Sequence, residues 1–146
     1  MVRMASENCR MELYKKNRAI SIEDSLRTLQ QHLGLSTPPR RIEGFDICHM
    51  GGTKTVASLV SFFNGKPDKS QYRTFHIKSL PDGTIDDYAS MREVIARRYA
   101  RVRNDKLSPP DLILVDGGKG QLHFAWEALR ELGLDERIFL IGLAER

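Results

Sequence analysis

The chain has 146 residues, of which 40% are hydrophobic and 29% are charged. This size and composition suit one domain with a buried core, and they exclude a collagen-like, low-complexity or wholly disordered chain. No apolar run reaches the roughly 20 residues that a membrane-spanning helix needs, and the first ten residues lack the apolar core of a signal peptide. The two cysteines, Cys9 and Cys48, form neither a disulfide framework nor a zinc motif. We therefore expect a cytoplasmic protein.

The net charge of +4 is unevenly distributed along the chain. Residues 41–106 carry 12 basic and 8 acidic side chains, whereas residues 107–146 carry 4 basic and 7 acidic ones. A basic surface in the middle of the chain favours a polyanionic partner, although net charge alone is weak support.

The first segment has the pattern of an amphipathic helix over residues 7–35. Ile22, Leu26, Leu29 and Leu33 recur at spacings of three or four, which places them on one helical face. Gly34 suits a C-terminal cap, and the Pro-Pro pair at 38–39 stops the helix. We predict a helical lead-in over residues 1–39 and a separate domain over residues 40–146.

After the proline pair, the pattern predicts three antiparallel strands followed by alternating helices and strands. The dipeptide Asn64-Gly65 is a strong hairpin signal, and two short continuous apolar runs are typical of buried parallel strands. The predicted strands cover 41–49, 55–63, 71–78, 111–115 and 138–143, and the predicted helices cover 87–103 and 121–132. The order β-β-β-α-β-α-β predicts an α/β fold, a mixed sheet flanked by helices. In the first of these helices the expected apolar face is Tyr88, Met91, Ile95, Tyr99 and Val102.

Two acidic residues stand out by position. Asp46 interrupts an apolar strand between Phe45 and Ile47, and Asp116 ends the apolar run LILV. The C-terminal ends of strands in open α/β sheets are where ligands usually bind. Two neighbouring carboxylates repel each other, and a divalent cation such as Mg²⁺ relieves that repulsion while binding phosphate oxygens. The equally simple alternative is that Asp46 faces solvent and Asp116 caps the next helix.

The loop from Asp116 to Gln121 (DGGKGQ) has the composition of a phosphate-binding turn at a helix N-terminus. It lacks the Ser or Thr that follows the Lys in a Walker A loop, so nucleotide binding is the weakest interpretation. Lys119 is a candidate for a contact with one DNA phosphate, and a simple tight turn with a solvated Lys119 explains the pattern as well.

The arginines of the helix from Asp87 are the second candidate for contacts with a DNA backbone, namely Arg92, Arg97 and Arg98. A block of like charges is more often a solvated helix face. Among the four histidines, none has a metal-ligand spacing to another, and only His49, three residues after Asp46, is expected near the site.

Three ordered motifs resemble those of the UvrC family, the nuclease subunits of the bacterial UvrABC nucleotide-excision repair system. The motifs are RIEGFDICH followed by TVAS, then DDYASMREVIARRYARV, then LILVDGGKGQL followed by LGL and IGLA. The resemblance covers residues 7–146. It implies a ribonuclease H-like fold and cleavage of a damaged DNA strand on the 5′ side of the lesion, dependent on Mg²⁺ or Mn²⁺. The family's metal-binding aspartates fall on Asp46 and Asp116, and its partners are damaged double-stranded DNA and UvrB, with UvrA acting upstream.

The resemblance also implies parts that this sequence lacks. Family members carry an N-terminal nuclease module, a UvrB-binding hairpin, C-terminal helix-hairpin-helix repeats and a catalytic histidine beyond the last strand. We therefore expect a C-terminally incomplete endonuclease domain with little or no incision activity on its own. The alternative is a non-catalytic DNA-binding or assembly module, which would bind DNA in a salt-sensitive way without a metal site.

Overall fold

A computed structural model describes residues 16, 21–51 and 54–144. We label its elements in chain order, starting with helix α1 over residues 21–33. The strands are β1 (Arg41–Met50), β2 (Lys54–Phe63), β3 (Lys66–Pro67), β4 (Arg73–His76), β5 (Leu112–Asp116) and β6 (Phe139–Leu143). The later helices are α2 (Asp87–Arg103) and α3 (Lys119–Glu131), and a short 3₁₀ turn spans Lys69–Gln71.

The strands form one mixed sheet in the order β3-β2-β1-β5-β6, with β4 also paired to β2. β1 and β2 are antiparallel, whereas β1, β5 and β6 run parallel to one another. The parallel strands are joined by helical crossovers, as parallel pairing requires. The predicted mixed α/β sheet is confirmed.

The hairpin signal at Asn64-Gly65 is confirmed, but its second strand is short. Both residues have positive φ, 51° and 76°, which is the backbone of a type I′ turn. The returning strand β3 has only two residues, and the predicted third strand begins at Arg73 as β4, after the 3₁₀ turn. The third-strand prediction, 71–78, was therefore too long at both ends.

The core lies between the sheet and helices α2 and α3. Met91, Ile95, Tyr99 and Val102 of the predicted apolar face of α2 are buried. Tyr88 was wrongly assigned to that face, because its side chain is 46% exposed and stacks on Phe124 instead.

A buried polar cluster links α2 to the central strand β1. The Arg98 guanidinium donates to Glu43 Oε2 at 2.7 Å, and the Tyr99 hydroxyl donates to Glu43 Oε1 at 2.7 Å. Burial, and then the adjacent Glu43 carboxylate, raise the pKa of Tyr99 well above its ordinary value, so the phenol keeps the proton that it donates. Both charges are therefore paired in the interior.

The lead-in helix α1 packs onto the domain. Leu26 is buried, and a Cβ at Gly65 would meet Ile22 at 2.6 Å, so the β2–β3 turn lies directly against α1. Glu23 forms a two-pronged ion pair with Arg40 at 2.7 and 2.9 Å. The helix ends at Gly34, whose φ of 69° fits the predicted cap. Residues 34 and 35 of the predicted 7–35 helix are not helical, and its residues 7–20, Cys9 among them, lie outside the described residues apart from residue 16.

In the part of the chain that the structure describes, no helix is both long and apolar enough to cross a membrane.

Candidate active site

The two acids that the sequence singled out lie side by side on β1 and β5, two neighbouring strands in the middle of the sheet. β1 and β5 pair in parallel up to Phe45 and Val115, so the next residues along the two strands are Asp46 and Asp116. Neighbouring residues of a parallel pair direct their side chains to the same face. Both acids are exposed, and both line one open cleft of about 400 Å³. Their predicted proximity is confirmed.

A tight turn after Asp116 shapes the wall of this cleft. Gly117 has a φ of 156°, and a Cβ there would come within 2.7 Å of the Gln121 side chain. Only glycine fits this backbone without strain. The turn brings Gly117, Gly118 and Gln121 to the cleft beside the two carboxylates.

A third carboxylate, Asp87 at the start of α2, also lines the cleft. The sequence analysis did not single out Asp87 as a site residue. Asp86 is the cap, because its carboxylate accepts the Ala89 N–H at 3.0 Å. The sequence did contain a signal, namely the two consecutive acids Asp86 and Asp87. Only one of them is needed to cap the helix, so the other can line the cleft.

His49 joins the site through Asp87. Its Nε2 lies 2.8 Å from Asp87 Oδ1, and its Nδ1 lies 3.2 Å from Thr55 Oγ1. A carboxylate only accepts hydrogen bonds, so the arrangement favours a proton on Nε2 and a Thr55 hydroxyl donating to Nδ1. The structure thus places His49 next to the cleft, where the sequence led us to expect it.

Two of the three cleft carboxylates, Asp46 and Asp116, have no cationic partner in the part of the chain that the structure describes. Within the described ranges, neither Asp46 nor Asp116 forms an ion pair. The polar contact of Asp46 is with Cys48, whose thiol donates to Oδ2 at 3.7 Å. Burial, and then the Asp46 charge, raise the pKa of the Cys48 thiol, which keeps it protonated.

This donor set fits a hard divalent cation. Mg²⁺ is commonly held by one or two carboxylates together with waters and substrate phosphates, rather than by a full protein cage. Among the described residues, no group of three or more His, Cys, Asp or Glu side chains is arranged to hold a metal ion. The fit is therefore to an open site of two carboxylates.

Two amides of the glycine loop already have hydrogen-bond partners. The Gly117 N–H donates to the Leu143 carbonyl at 2.8 Å, and the Gly118 N–H donates to the Gln121 side chain at 3.1 Å. These two amides are therefore not available to a phosphate, and the nucleotide-binding alternative stays the weakest interpretation. Lys119 is exposed but lines the neighbouring groove, with Trp126 and residues 34–37, and not the carboxylate cleft.

The prediction that Arg98 contacts DNA was wrong. Arg98 is only 2% exposed, and its guanidinium is bound to Glu43 in the interior. The sequence shows only a block of arginines and not their directions. In the structure, α2 directs Arg98 toward the sheet and the preceding Arg97 toward the surface.

Arg92 and Arg97 are half-exposed but already hold acidic partners. Arg92 bridges α2 to α3 through Glu127, at 3.0 Å, and Glu131. Arg97 donates to the His76 carbonyl at 2.7 Å and pairs with Glu93 at 3.1 Å. Their predicted contacts with DNA stay predictions.

Sheet order, crossovers and paired acids together define a class of protein. The antiparallel strands β1 and β2 continue into parallel β5 and β6, and an acid ends the paired segment of each of the two central neighbours. This is the architecture of ribonuclease H-like domains.

The sequence comparison identifies the family within that class. Residues 30–146 match the family described as "UvrC RNAse H endonuclease domain", and the chain belongs to it. The chain is 44% identical over 152 residues to UvrABC system protein C of Salinibacter ruber, covering 100% of this chain and 24% of that protein. It is 50% identical over 145 residues to UvrABC system protein C of Treponema denticola, covering 99% and 22% respectively. The chain thus spans less than a quarter of the length of these relatives.

A solved structure supports the fold. The chain is similar to Ciona intestinalis endonuclease V, crystallised as its D234N variant with a DNA containing inosine, with a TM-score of 0.51 and 16% identity. The match covers 89% of this chain and 58% of that one. At this identity the likeness concerns the fold alone.

Proposed function

We propose that this domain hydrolyses a DNA phosphodiester in nucleotide-excision repair, making the incision on the 5′ side of a lesion with Mg²⁺ or Mn²⁺. The observation that carries the proposal is the pair Asp46 and Asp116, which lie side by side, exposed, and free of ion pairs among the described residues. A bound divalent cation would supply an activated water and charge neutralisation at the scissile phosphate.

Each residue of the cleft has a role that follows from its position. Asp46 and Asp116 would hold the cation from two neighbouring strands, so their separation is fixed by the sheet. Asp87 adds negative charge from the start of α2, and the hydrogen bond from His49 fixes the orientation of its carboxylate. Gly117 lets the chain turn away sharply, which leaves Asp116 accessible.

The partners follow from the relatives. They are named as component C of a UvrABC system, which supports damaged double-stranded DNA as the substrate and UvrB, acting after UvrA, as the partner of the longer protein. We propose that residues 1–39 are an interdomain lead-in and residues 40–146 the nuclease domain. We expect little incision by the 146-residue chain alone, because the described cleft supplies only carboxylates and the adjoining His49.

The test is a chimera in which this chain replaces the matched segment of the Treponema denticola protein. With purified UvrA and UvrB, incision of a duplex carrying one lesion is read on both sides of the lesion. We expect 5′ incision by the chimera, and its loss in Asp46→Asn and Asp116→Asn, while 3′ incision persists. Asp82→Asn, which changes an exposed acid that does not line the cleft, is the matched control and should cut on both sides.

The 3′ incision serves as the internal control for folding and assembly. If both cleft variants still make the 5′ incision at the rate of the parent chimera, the proposal is wrong. If neither the parent nor the variants make it while 3′ incision continues, the alternative of a non-catalytic module is favoured.

A further inference from the structure

An unbroken row of aromatic rings crosses the surface of α2 and α3. Tyr88 stacks on Phe124 with centroids 5.3 Å apart and planes 14° from parallel. Phe124 contacts the ring of His123 edge-on at 5.9 Å, and His123 in turn lies 5.9 Å from Trp126. The Arg130 guanidinium lies over the Trp126 ring, 5.3 Å from its centroid. We call these five side chains the aromatic ridge.

Two rings of the ridge are partly exposed to solvent and are not part of the hydrophobic core. Tyr88 is 46% exposed and Trp126 is 37% exposed, whereas the inward face of α3 is filled by Ala125, Ala128 and Leu129, all fully buried. Helix α3 therefore has an apolar face toward the core and a second, aromatic face on which Tyr88 of α2 packs. Large aromatic groups on a surface are common at binding sites.

One end of the ridge begins at the carboxylate cleft. Tyr88 directly follows Asp87, and its side chain lies against Gly120, where a Cβ would come within 2.4 Å of it. Gly120 precedes Gln121, another residue of the cleft wall. The other end, His123 and Trp126, lines the groove that also contains Lys119. A strand leaving the cleft would meet the ridge immediately.

The charges around the ridge are nearly balanced. Glu127 pairs with both Arg92 and His123, and Glu131 pairs with Arg92. The groove beside Trp126 contains Lys119 and Arg137 but also Asp111, Asp135 and Glu136. Binding here would thus depend on stacking more than on phosphate contacts, which predicts a shallow dependence on salt.

We propose that the aromatic ridge binds unpaired DNA bases by stacking, and so holds a single-stranded stretch next to the cleft. The ligand class is single-stranded nucleic acid without sequence preference, because every base has a face on which an aromatic ring can stack. The inference rests on the proposed function for the choice of DNA, but it concerns a separate set of residues. The ridge would bind the bases of the strand, whereas the carboxylate cleft would act on its phosphate.

The test uses Trp126, the one tryptophan of the chain, as its own probe. The intrinsic fluorescence of the full chain is titrated with a single-stranded oligothymidine in buffer with a chelator, so that no metal is bound. We expect saturable quenching of Trp126 that weakens little as salt is raised. An oligomer of equal length with abasic linkers has the same phosphates and should leave the fluorescence unchanged.

Variants then locate the contact. By fluorescence anisotropy of a labelled oligothymidine, Trp126→Ala should weaken binding roughly 10-fold, as expected for the loss of one stacked base, and Tyr88→Ala should weaken it to a similar degree. Phe63→Ala is the matched control, because Phe63 is 46% exposed and carries Arg41 over its ring, at 4.7 Å, but lies outside the ridge. Thermal melting checks that each variant is folded.

Two outcomes would overturn the proposal. One is the absence of quenching by the oligothymidine, and the other is equal binding of the abasic oligomer, which would indicate phosphate contacts only. Asp46→Asn with Asp116→Asn should leave the quenching intact. A failure of the metal site is thereby distinguishable from a failure of the ridge.

Discussion

Strand β1 carries two acids, three residues apart, in opposite circumstances. Glu43 is 3% exposed and meets Arg98 and Tyr99 in the interior. Asp46 is exposed, lies beside Asp116 in the cleft, and has no ion-pair partner among the described residues. The protein thus supplies the counter-charge for one carboxylate and leaves the other without one.

The comparison separates a structural acid from a functional one. A buried carboxylate without a partner is costly, so Glu43 requires Arg98. A carboxylate at a solvent-filled cleft pays little for being unpaired, and it stays available for a cation and a phosphate. The stability of the folded state should therefore depend strongly on the Glu43 cluster and little on the acids of the cleft.

The largest expected effect is at the buried pair. Arg98→Met leaves the Glu43 charge uncompensated in the interior, and we expect a loss of about 3–5 kcal/mol in the free energy of unfolding. Urea denaturation followed by circular dichroism measures it. A loss below about 1 kcal/mol would show that Glu43 is not held as a buried charge.

The double variant Glu43→Gln with Arg98→Met should recover most of that loss. It removes both charges while the Gln amide oxygen still accepts from Tyr99, and Arg98 Nε has no hydrogen-bond partner to lose among the described residues. Denaturation of the single and double variants in one series measures the coupling. Additive losses would contradict the pairing.

A smaller effect is expected from Tyr99→Phe. It removes one hydrogen bond to a buried carboxylate, which contributes about 1.5–3 kcal/mol, and it leaves the ring packed edge-on against Phe45, with centroids 5.9 Å apart. The measurement is the same denaturation series. Stability equal to that of the parent would mean that the Glu43 carboxylate replaces the lost hydrogen bond with one to another donor.

The surface ion pairs should matter less. Arg92→Gln removes the bridge from α2 to Glu127 and Glu131, and since Arg92 is 38% exposed, we expect a loss of about 1 kcal/mol or less. High salt should erase the difference from the parent. A loss that persists in high salt would indicate packing by the Arg92 stem instead.

The smallest effect on stability is expected at the cleft itself. In metal-free buffer, Asp46→Asn and Asp116→Asn should change the free energy of unfolding by no more than about 0.5 kcal/mol, with any change in the stabilising direction because repulsion is relieved. A large destabilisation by either variant would assign these acids a structural role and remove the contrast with Glu43.

Much of the fold could be predicted because each element has its own local signal. The Asn64-Gly65 turn, the Gly34 cap and the continuous apolar run of β5 each located an element within a residue or two. The two-residue β3 could not be predicted, since so short a strand has no periodicity. Tyr88 was misplaced because its spacing fits the apolar face while its ring packs on α3.

The site could be predicted only in part. Asp46 and Asp116 stood out because each interrupts or ends an apolar strand, and this pattern can be read from the sequence. Asp87 was not found because its place beside Asp46 and Asp116 depends on how α2 packs on the sheet. Arg98 was misassigned because its partner, Glu43, is 55 residues away in the chain, and such a pairing exists only in the folded state.

The most direct test of the account is Mn²⁺ binding by isothermal titration calorimetry of the folded chain. The account predicts one Mn²⁺ bound per chain, a higher melting temperature in its presence, and loss of both effects in Asp46→Asn and in Asp116→Asn but not in Asp82→Asn. Equal Mn²⁺ binding by the parent and both cleft variants, or none by the parent, would contradict the claim that the unpaired acids of β1 and β5 form the metal site.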